Sequence, residues 1–361
     1  MSLKKLDVVV VGAGFSGLYL LHKLRSSGFS VAVLEKADQL GGTWHWNRYP
    51  GARCDIPSLQ YSYQFDEDLQ QEWNWSEKYS AQQEILEYLN HVADRFDLKK
   101  DIEFNTEVIS ARFNEEKSIW EIKTSQGEVE TKFCVMATGC LSAPNTPDFK
   151  GLDDYEGQLL HTGKWPQTPV DFTDESVAII GTGSSSVQSI PILAEQAKHL
   201  YVFQRTPNYS IPTNNGPMDP AEEAEVKSRY PEFRKENWEN GFGIAGMAVD
   251  SMAVEDDELG RHEKFNHHWE NEGLGFLGAY ADLMIDKEAN EMAASFARNK
   301  VKEIVKNPEV AELLSPKFTI GCKRLCCDSG YFESFNRDNV TLVDLNANPI
   351  HRITRQGLIV G

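Results

Sequence analysis

Two glycine-rich turns carry the residues whose types and spacing suggest chemistry, GAGFSG at Gly12–Gly17 and GTGSSS at Gly181–Ser186. Glycines at this spacing let the backbone and a helix N-terminus close on a pyrophosphate without a side chain in the way. The strands beyond the two turns end differently. The apolar run Val31–Leu34 ends in Glu35, a carboxylate able to accept hydrogen bonds from both ribose hydroxyls of an adenosine. The run Leu200–Phe203 ends instead in Gln204, Arg205 and Thr206, with no acid. A cation and a hydroxyl suit a 2′-phosphate, which a carboxylate would repel. The second turn, with Gly181 and Gly183, is therefore expected to bind NADP, with Arg205 and Thr206 at its 2′-phosphate. The first, with Gly12, Gly14, Gly17 and Glu35, is expected to take an adenine dinucleotide lacking that phosphate. A prosthetic redox group and its reductant would together explain the pair. The plainer readings are an ordinary glycine-rich turn and, for Arg205, an exposed arginine without a ligand.

These residues need particular elements to hold them. Asp7–Val11 is apolar and β-branched after its first residue, as a parallel strand covered on both faces must be. Leu18–Leu24 carries a helical apolar pattern that stops near Gly28, and Val31–Leu34 is a second strand. Strand, three glycines, helix, strand and acid in this order make the first motif far more specific than its glycines alone. Ala81–Phe96 predicts an amphipathic helix. Ile102–Phe113, Ile119–Thr124 and Val129–Phe133 predict a short antiparallel sheet, and Phe133–Gly139 a buried strand running into a tight turn. Ser176–Ile180 leads into the second turn, where Ser186 stands in place of the usual third glycine, so helix and strand must accommodate a hydroxymethyl group. Pro220–Pro308 is polar, acidic and helical in pattern, with breaks at Gly241–Gly246 and Gly273–Gly278; Trp238 and Trp269 in it are expected in a core.

The 361 residues exceed one compact core and fit two domains. Hydrophobic residues at 40% and aromatics at 11% exclude a disordered chain. A formal charge of −19 disfavours nucleic acid and anionic membrane surfaces as partners. No apolar stretch is long enough to span a bilayer, and Val8–Val11 lacks a cleavage site that would make it a signal peptide. The six cysteines, Cys54, Cys134, Cys140, Cys322, Cys326 and Cys327, fit reduced thiols in the cytoplasm. Cys322, Cys326 and Cys327 lack a second ligand group at zinc spacing, and HEKFNHH has one residue too many for a zinc helix; its histidines His262, His267 and His268 are expected on an exposed polar face, so no metal is expected.

Between the turns lies YEGQLLHTGKWP, in which Tyr155, Gly157, His161, Trp165 and Pro166 match the fingerprint of the type I Baeyer-Villiger monooxygenases, with tyrosine for the usual phenylalanine. GGTWHWNRYPGARCD (Gly41–Asp55), FQRTPNY (Phe203–Tyr209) and GCKRLCCDSGYFESFNRDNV (Gly321–Val340) extend the likeness over the whole chain. The sequence thus resembles that family, of which the phenylacetone and cyclohexanone monooxygenases are members. The resemblance implies an α/β protein with two Rossmann-like domains, for FAD and NADP, and a helical insertion in the second. It implies conversion of ketones to esters or lactones with NADPH and O2 through a C4a-peroxyflavin. It places Ser16 and Glu35 on the FAD phosphates and ribose and lines the rest of that site with Thr43, Trp44, Asp55, Tyr61 and Val108; it sets NADP against Gly181 to Val187, including Thr182, Gly183, Ser184 and Ser185, and against Arg205 and Thr206, with Lys323 near the 2′-phosphate. Arg324 matches the catalytic arginine and Asp55 its acidic partner; a guanidinium, charged at any accessible pH, can stabilise the peroxyanion and the adduct it forms. A surface salt bridge is the plain alternative for that pair. His161 is expected to position domains rather than transfer protons.

The domain reading is 1–145 for FAD, 146–166 as linker, 167–335 for NADP with the insertion at 220–310, and 336–361 returning into an incomplete FAD domain. Family members continue beyond the equivalent of Gly361, so weak FAD binding or none is expected of these residues alone. Three rivals stay open: a flavin-containing monooxygenase acting on amines or sulfides, a pyridine-nucleotide disulfide reductase, which needs a redox cysteine pair, and a non-catalytic nucleotide-binding fragment.

Overall fold

The computed structural model describes residues 4–241, 243–245 and 249–361. The chain divides into two units. One comprises 4–48, Gln82–Thr146 and Leu160–Gln167; the other Tyr49–Ala81, Pro147–Leu159 and Thr168–Gly361.

The first unit is built on a six-stranded sheet: β1 (Lys4–Val11), β2 (Val31–Leu34), β3 (Ile102–Glu103), β4 (Val108–Asn114), β5 (Ile119–Thr124) and β6 (Gly127–Met136). Its order is β3-β2-β1-β6-β5-β4. The β3, β2, β1 and β6 strands run parallel, and β6, β5 and β4 antiparallel. Val8, Val9 and Val10 in β1 are buried regardless of which face they point to, as the unbroken apolar run requires. Each such side chain contributes about 1.5–3 kcal/mol. The helix Phe15–Ser26 buries Gly17, Leu18 and Leu21, and Gln82–Arg95 buries Ile85, Tyr88, Leu89, Val92 and Ala93, a single helical stripe.

This sheet differs from the sequence expectation in three ways. Ile102–Phe113 is two strands, because Asn105 takes a left-handed turn (φ 54°) that sends β3 to pair with β2 and β4 to pair with β5. The stretches Val129–Phe133 and Phe133–Gly139 are largely one continuous strand, β6, bonded to β1 on one side and β5 on the other. That strand is not buried throughout: Phe133 and Met136 are 57% and 56% exposed.

In the second unit β7 (Ser176–Ile180), β8 (His199–Gln204) and β11 (Val340–Asp344) form a parallel sheet in the order β11-β8-β7; β9 (Ser210–Pro212) pairs with β10 (Cys326–Asp328), and β12 (Ile350–Thr354) with β13 (Gly357–Val360). The helix Ser184–Gln196 comes directly after β7. Between β9 and β10 come the helices Pro220–Ser228, Tyr230–Glu239, Glu258–Asn271, Lys287–Ile304 and Pro308–Leu314, so a helical insertion interrupts the second nucleotide fold. Phe265, Trp269, Phe276, Tyr280 and Phe296 centre its core, which also takes in Ile320 and Leu325. Gly273–Gly278, expected as a break, is a 3₁₀ helix; the break at Gly241–Gly246 lies partly outside the described residues.

Trp238 is 83% exposed, against the expectation of a core position. Its helix buries Tyr230, Phe233, Arg234 and Asn237, and Trp238, one residue on from Asn237, is rotated off that face. Its indole donates to Gln64 Oε1 at 3.0 Å. Trp269 is buried as expected. His262 and His267 are exposed, but His268 is half-buried with Nδ1 3.2 Å from the Gly275 carbonyl.

The domain boundaries differ too. Residues 49–81 join the second unit because they are pinned to its helices. Buried Lys227 donates to the Gln71 carbonyl (3.1 Å), the Trp73 carbonyl (2.8 Å) and Asn74 Oδ1 (2.7 Å), with Glu223 3.2 Å away. Residues 76–78 also bond 216–218 through the amides of Met218 (2.9 Å) and Lys78 (3.0 Å). Residues 336–361 stay with the second unit as well. There β11 pairs in register with β8, and the β12–β13 hairpin is held by Ile353 N to Lys150 O (2.8 Å) and Glu156 N to Arg355 O (3.1 Å).

Candidate functional site

The two glycine turns are geometrical repeats. Gly12 N donates to the Leu34 carbonyl and Gly181 N to the Phe203 carbonyl, both at 2.8 Å. Both glycines need positive φ, 102° and 105°, a region that penalises any side chain. Gly14 and Gly183 are the N-caps of the next helices, with φ −84° and −83°. Neither helix has a side-chain cap or an acid in its first turn. By contrast Asp66, Asp219, Asp257, Asp286 and Asn307 cap other helices of the chain. The two turns thus end in helix starts whose N–H groups and positive dipole ends are left for an anion. They part at the third glycine. A Cβ on Gly17 would lie 1.9 Å from the Gly12 carbonyl oxygen, whereas buried Ser186 already carries one, so the second helix starts farther from its strand.

Register pairs Glu35 with Gln204, since Glu35 comes one residue after Leu34, the acceptor of its turn's first glycine, and Gln204 one residue after Phe203, the acceptor of the other. Glu35 is 5% exposed. Its Oε2 accepts from Ala13 N (2.6 Å) and its Oε1 from Ala37 N (2.9 Å). Each oxygen keeps a second lone pair, so two acceptor directions remain. Gln204 is also buried, but its Nε2 donates to the Leu313 carbonyl (2.8 Å) and its Oε1 has no partner among the described residues. Arg205 and Thr206 come next, Arg205 and Thr206 both exposed. Thr182 Oγ1 donates to the Thr206 carbonyl (3.0 Å), Asn208 Nδ2 to the Thr182 carbonyl (2.6 Å) and Asn346 Nδ2 to the Arg205 carbonyl (2.7 Å). These bonds draw the turn and the QRT segment into one surface. Lys323 is exposed in the same unit, its ammonium 4.9 Å from the centre of the Phe318 ring.

Around the first turn, Gly41 N donates to the Ala13 carbonyl (2.9 Å), and a Cβ on Gly42 would come within 2.9 Å of Gly14 Cα. Thr43 and buried Trp44 come directly after in a short helix. Thr106 N donates to the Glu35 carbonyl (2.8 Å), which brings β4 close, and Val108 packs partly buried against the cluster of Val9 and Leu34. Ser16 is exposed in the first helical turn. Asp55 and Tyr61, expected at the same cofactor, fall in the second unit.

The fingerprint is split between the units, with Tyr155 and Gly157 in the second and His161, Trp165 and Pro166 in the first. The Tyr155 ring folds over Gly157, where a Cβ would meet its hydroxyl at 2.3 Å. His161 Nδ1 accepts from Gly163 N at 3.0 Å, so Nε2 carries the proton toward the Asn145 carbonyl at 3.1 Å. Both ring nitrogens are engaged, which suits holding the linker.

Arg324 and Asp55, 269 residues apart, form a two-point contact, Nε to Oδ2 at 2.9 Å and a terminal nitrogen to Oδ1 at 2.7 Å. Asp55's hydrogen bond pushes the arginine pKa up further. Arg324 is 63% exposed in its side chain and Asp55 20%, so the geometry sets direction more than stability. Elements on both sides fix the pair. Cys54 N bonds the Ser80 carbonyl (3.1 Å), and Arg53 bonds Glu77 (2.6 Å). On the other side Leu325 lies in the core of the insertion, and Asn290 holds residue 320 by its amide (2.9 Å to the carbonyl, 3.2 Å from the N–H). The insertion, which offered no chemistry in the sequence, therefore positions Arg324.

All six cysteines are free. Burial pushes Cys54 up to about 12, Cys326 up to about 11 and Cys327 well above its ordinary value. Thiols held protonated are poor nucleophiles, so Cys54, Cys326 and Cys327 are poorly suited to act as redox thiols.

Paired glycine turns with opposite ribose-side chemistry, in two α/β units, define the class of two-dinucleotide flavoprotein folds. The sequence-family model described as pyridine nucleotide-disulphide oxidoreductase matches residues 9–235. A Baeyer-Villiger monooxygenase of Pseudooceanicola batsensis is 44% identical over 98% of this chain and 65% of its own length. A phenazine N-monooxygenase of Lysobacter antibioticus is 40% identical over 98% of this chain and 66% of its own. A solved structure of an oxidized steroid monooxygenase bound to NADP superposes with a TM-score of 0.96 at 50% identity, covering 99% of this chain and 69% of that one. The chain belongs to the Baeyer-Villiger monooxygenase family. It spans just under two thirds of the length of the curated relatives it matches. Among the described residues no helix is long and apolar enough to cross a membrane.

Proposed function

We propose that this chain is the nucleotide-binding portion of a Baeyer-Villiger monooxygenase that takes a ketone to an ester or lactone at the expense of NADPH and O2. One oxygen atom enters the product and the other leaves as water. The observation that carries the reading is the contrast between two otherwise repeated turns, Glu35 at one and Gln204 with Arg205 at the other.

Glu35's two free acceptor directions suit the ribose hydroxyls of FAD, and the cradle of Gly12, Gly14 and Gly42, which a Cβ would fill, suits its pyrophosphate. Thr43, Trp44, Val108 and Ser16 border that cradle, and Asp55 and Tyr61 are assigned to the flavin end by family resemblance. Gly181, Thr182, Gly183, Ser184, Ser185, Thr206 and Arg205 would hold NADPH, with Lys323 as a further cation for the 2′-phosphate. FAD, reduced by NADPH, supplies the oxygen-activating chemistry. The protein's part is electrostatic. Arg324 keeps a fixed positive charge where negative charge develops on oxygen, and the two-point contact with Asp55 aims it. His161, with both nitrogens engaged, holds the linker and moves no proton. A cytoplasmic location fits the six free thiols.

A second reading, oxygenation of a nitrogen or sulfur centre, is favoured by the likeness to the phenazine N-monooxygenase. The test is NADPH oxidation with added FAD over a panel of ketones, sulfides and tertiary amines, with product analysis. Ester or lactone formation supports the first reading. Turnover of a sulfide or amine with no ketone turnover replaces it with the second.

A further inference from the structure

The Asp55 loop does not merely lie near the second glycine turn; it is tied to the helix that begins there. Gln188, one turn into helix Ser184–Gln196, bridges the loop with both ends of its amide. Its Oε1 accepts from the Tyr49 hydroxyl at 2.8 Å, and its Nε2 donates to the Arg53 carbonyl at 3.1 Å. Between those contacts the backbone of Gly51, at φ 79°, sits on the helix so closely that a Cβ would come within 2.2 Å of the Gln188 carbonyl oxygen. The loop is thus clamped at 49, 51 and 53, two residues before Asp55.

The loop's other neighbour is β10, which begins at Cys326, two residues beyond Arg324. The Cys327 thiol points to the Asp55 carbonyl at 3.9 Å. A nucleotide that orders the helix start at Ser184 orders Gln188 one turn on, and the change passes through its two amide bonds to the loop before Asp55.

The geometry points to Gln188 and Tyr49 as positioning residues that carry occupancy of the second glycine turn to the Asp55–Arg324 pair. The inference rests on the reading of that turn as the NADPH site. Neither residue is assigned to the nucleotide or to the substrate, so each acts through the loop.

Hydrogen exchange with NADP⁺ as the probe tests it, on the parent protein and on Gln188→Ala and Tyr49→Phe, the latter removing one hydroxyl and leaving the ring. In the parent, saturating NADP⁺ slows exchange at 181–187 and, at least fivefold, at 51–58. In both variants protection at 181–187 persists, NADP⁺ affinity stays within threefold, and the effect at 51–58 falls below twofold. Protection of 51–58 that is undiminished in the variants, or missing in the parent while 181–187 is protected, overturns the inference alone. No protection at 181–187 in the parent overturns the nucleotide assignment and the inference with it.

Discussion

Replacing Glu35 isolates what a buried carboxylate does for the first turn. Its two oxygens accept from Ala13 N at 2.6 Å and Ala37 N at 2.9 Å, and both alanines are buried. Glu35→Ala leaves both N–H groups without partners, at about 1–3 kcal/mol each, so the cost should be about 4 kcal/mol. Glu35→Gln keeps one acceptor and turns an NH2 toward the other N–H, so about half that cost, ~2 kcal/mol, is expected. With a urea dependence of about 2 kcal/mol per molar, Glu35→Gln should lower the unfolding midpoint by about 1 M and Glu35→Ala by about 2 M. Tryptophan fluorescence reads the transition, since Trp44, Trp46 and Trp120 all lie in this unit. Glu35→Gln should also weaken FAD binding at least tenfold, or about 1.4 kcal/mol, with NADP⁺ binding unchanged. Midpoints within about 0.2 M of the parent for both variants would show that these two bonds do not hold the turn. Equal losses of FAD and NADP⁺ affinity would refute the assignment of the turns.

Other consequences arise from the same geometry. Gly17→Ala should prevent the first unit from folding, because its Cβ meets the Gly12 carbonyl, while Gly183→Ala, with nothing within 4 Å, should be tolerated; circular dichroism separates the two. Arg324→Lys keeps the charge but loses the two-point contact with Asp55, so oxygenated product per unit time should fall about 100-fold while NADP⁺ binding holds. Lys227→Met strands three part-buried acceptors and Glu223, and should cost about 3 kcal/mol of stability, seen in urea unfolding and as proteolytic cleavage within 66–76. At about pH 8.5 an alkylating reagent should label exposed Cys140 and Cys322 and spare Cys54, Cys326 and Cys327, with all labelled after denaturation, as mass spectrometry can show. Because burial raises these thiol pKa values, their contribution to stability is full below about pH 9 and is lost as pH rises toward 11 and 12.

The features legible in the sequence were local. The boundaries of β2 and β7 and the turns after β1 and β7 come from β-branched runs cut by glycine, signals that need only neighbours in the chain. Glu35 and Arg205 were legible for the same reason, but their register was not: only the bonds from Gly12 and Gly181 reveal that Gln204, and not Arg205, takes the place of Glu35. The membership of 49–81 in the second unit was hidden because it depends on Lys227, about 150 residues away, a residue type that composition marks as exposed. The exposure of Trp238 turned on one residue of helical phase. Tyr49 and Gln188 stand inside or beside recognisable motifs, yet nothing in their spacing announces that they touch. The Asp55–Arg324 pair came from family resemblance; the spacing of two residues 269 apart could not have supplied it.

Oxygen insertion itself is read by a turnover with NADPH, FAD and ¹⁸O2 across linear, cyclic and aromatic ketones, with mass analysis of the product. A Baeyer-Villiger enzyme gives an ester or lactone carrying one ¹⁸O atom for each NADPH consumed, and that is the expected result. Labelled N-oxide or sulfoxide from an amine or sulfide, with no labelled ester from any ketone in the panel, would contradict it.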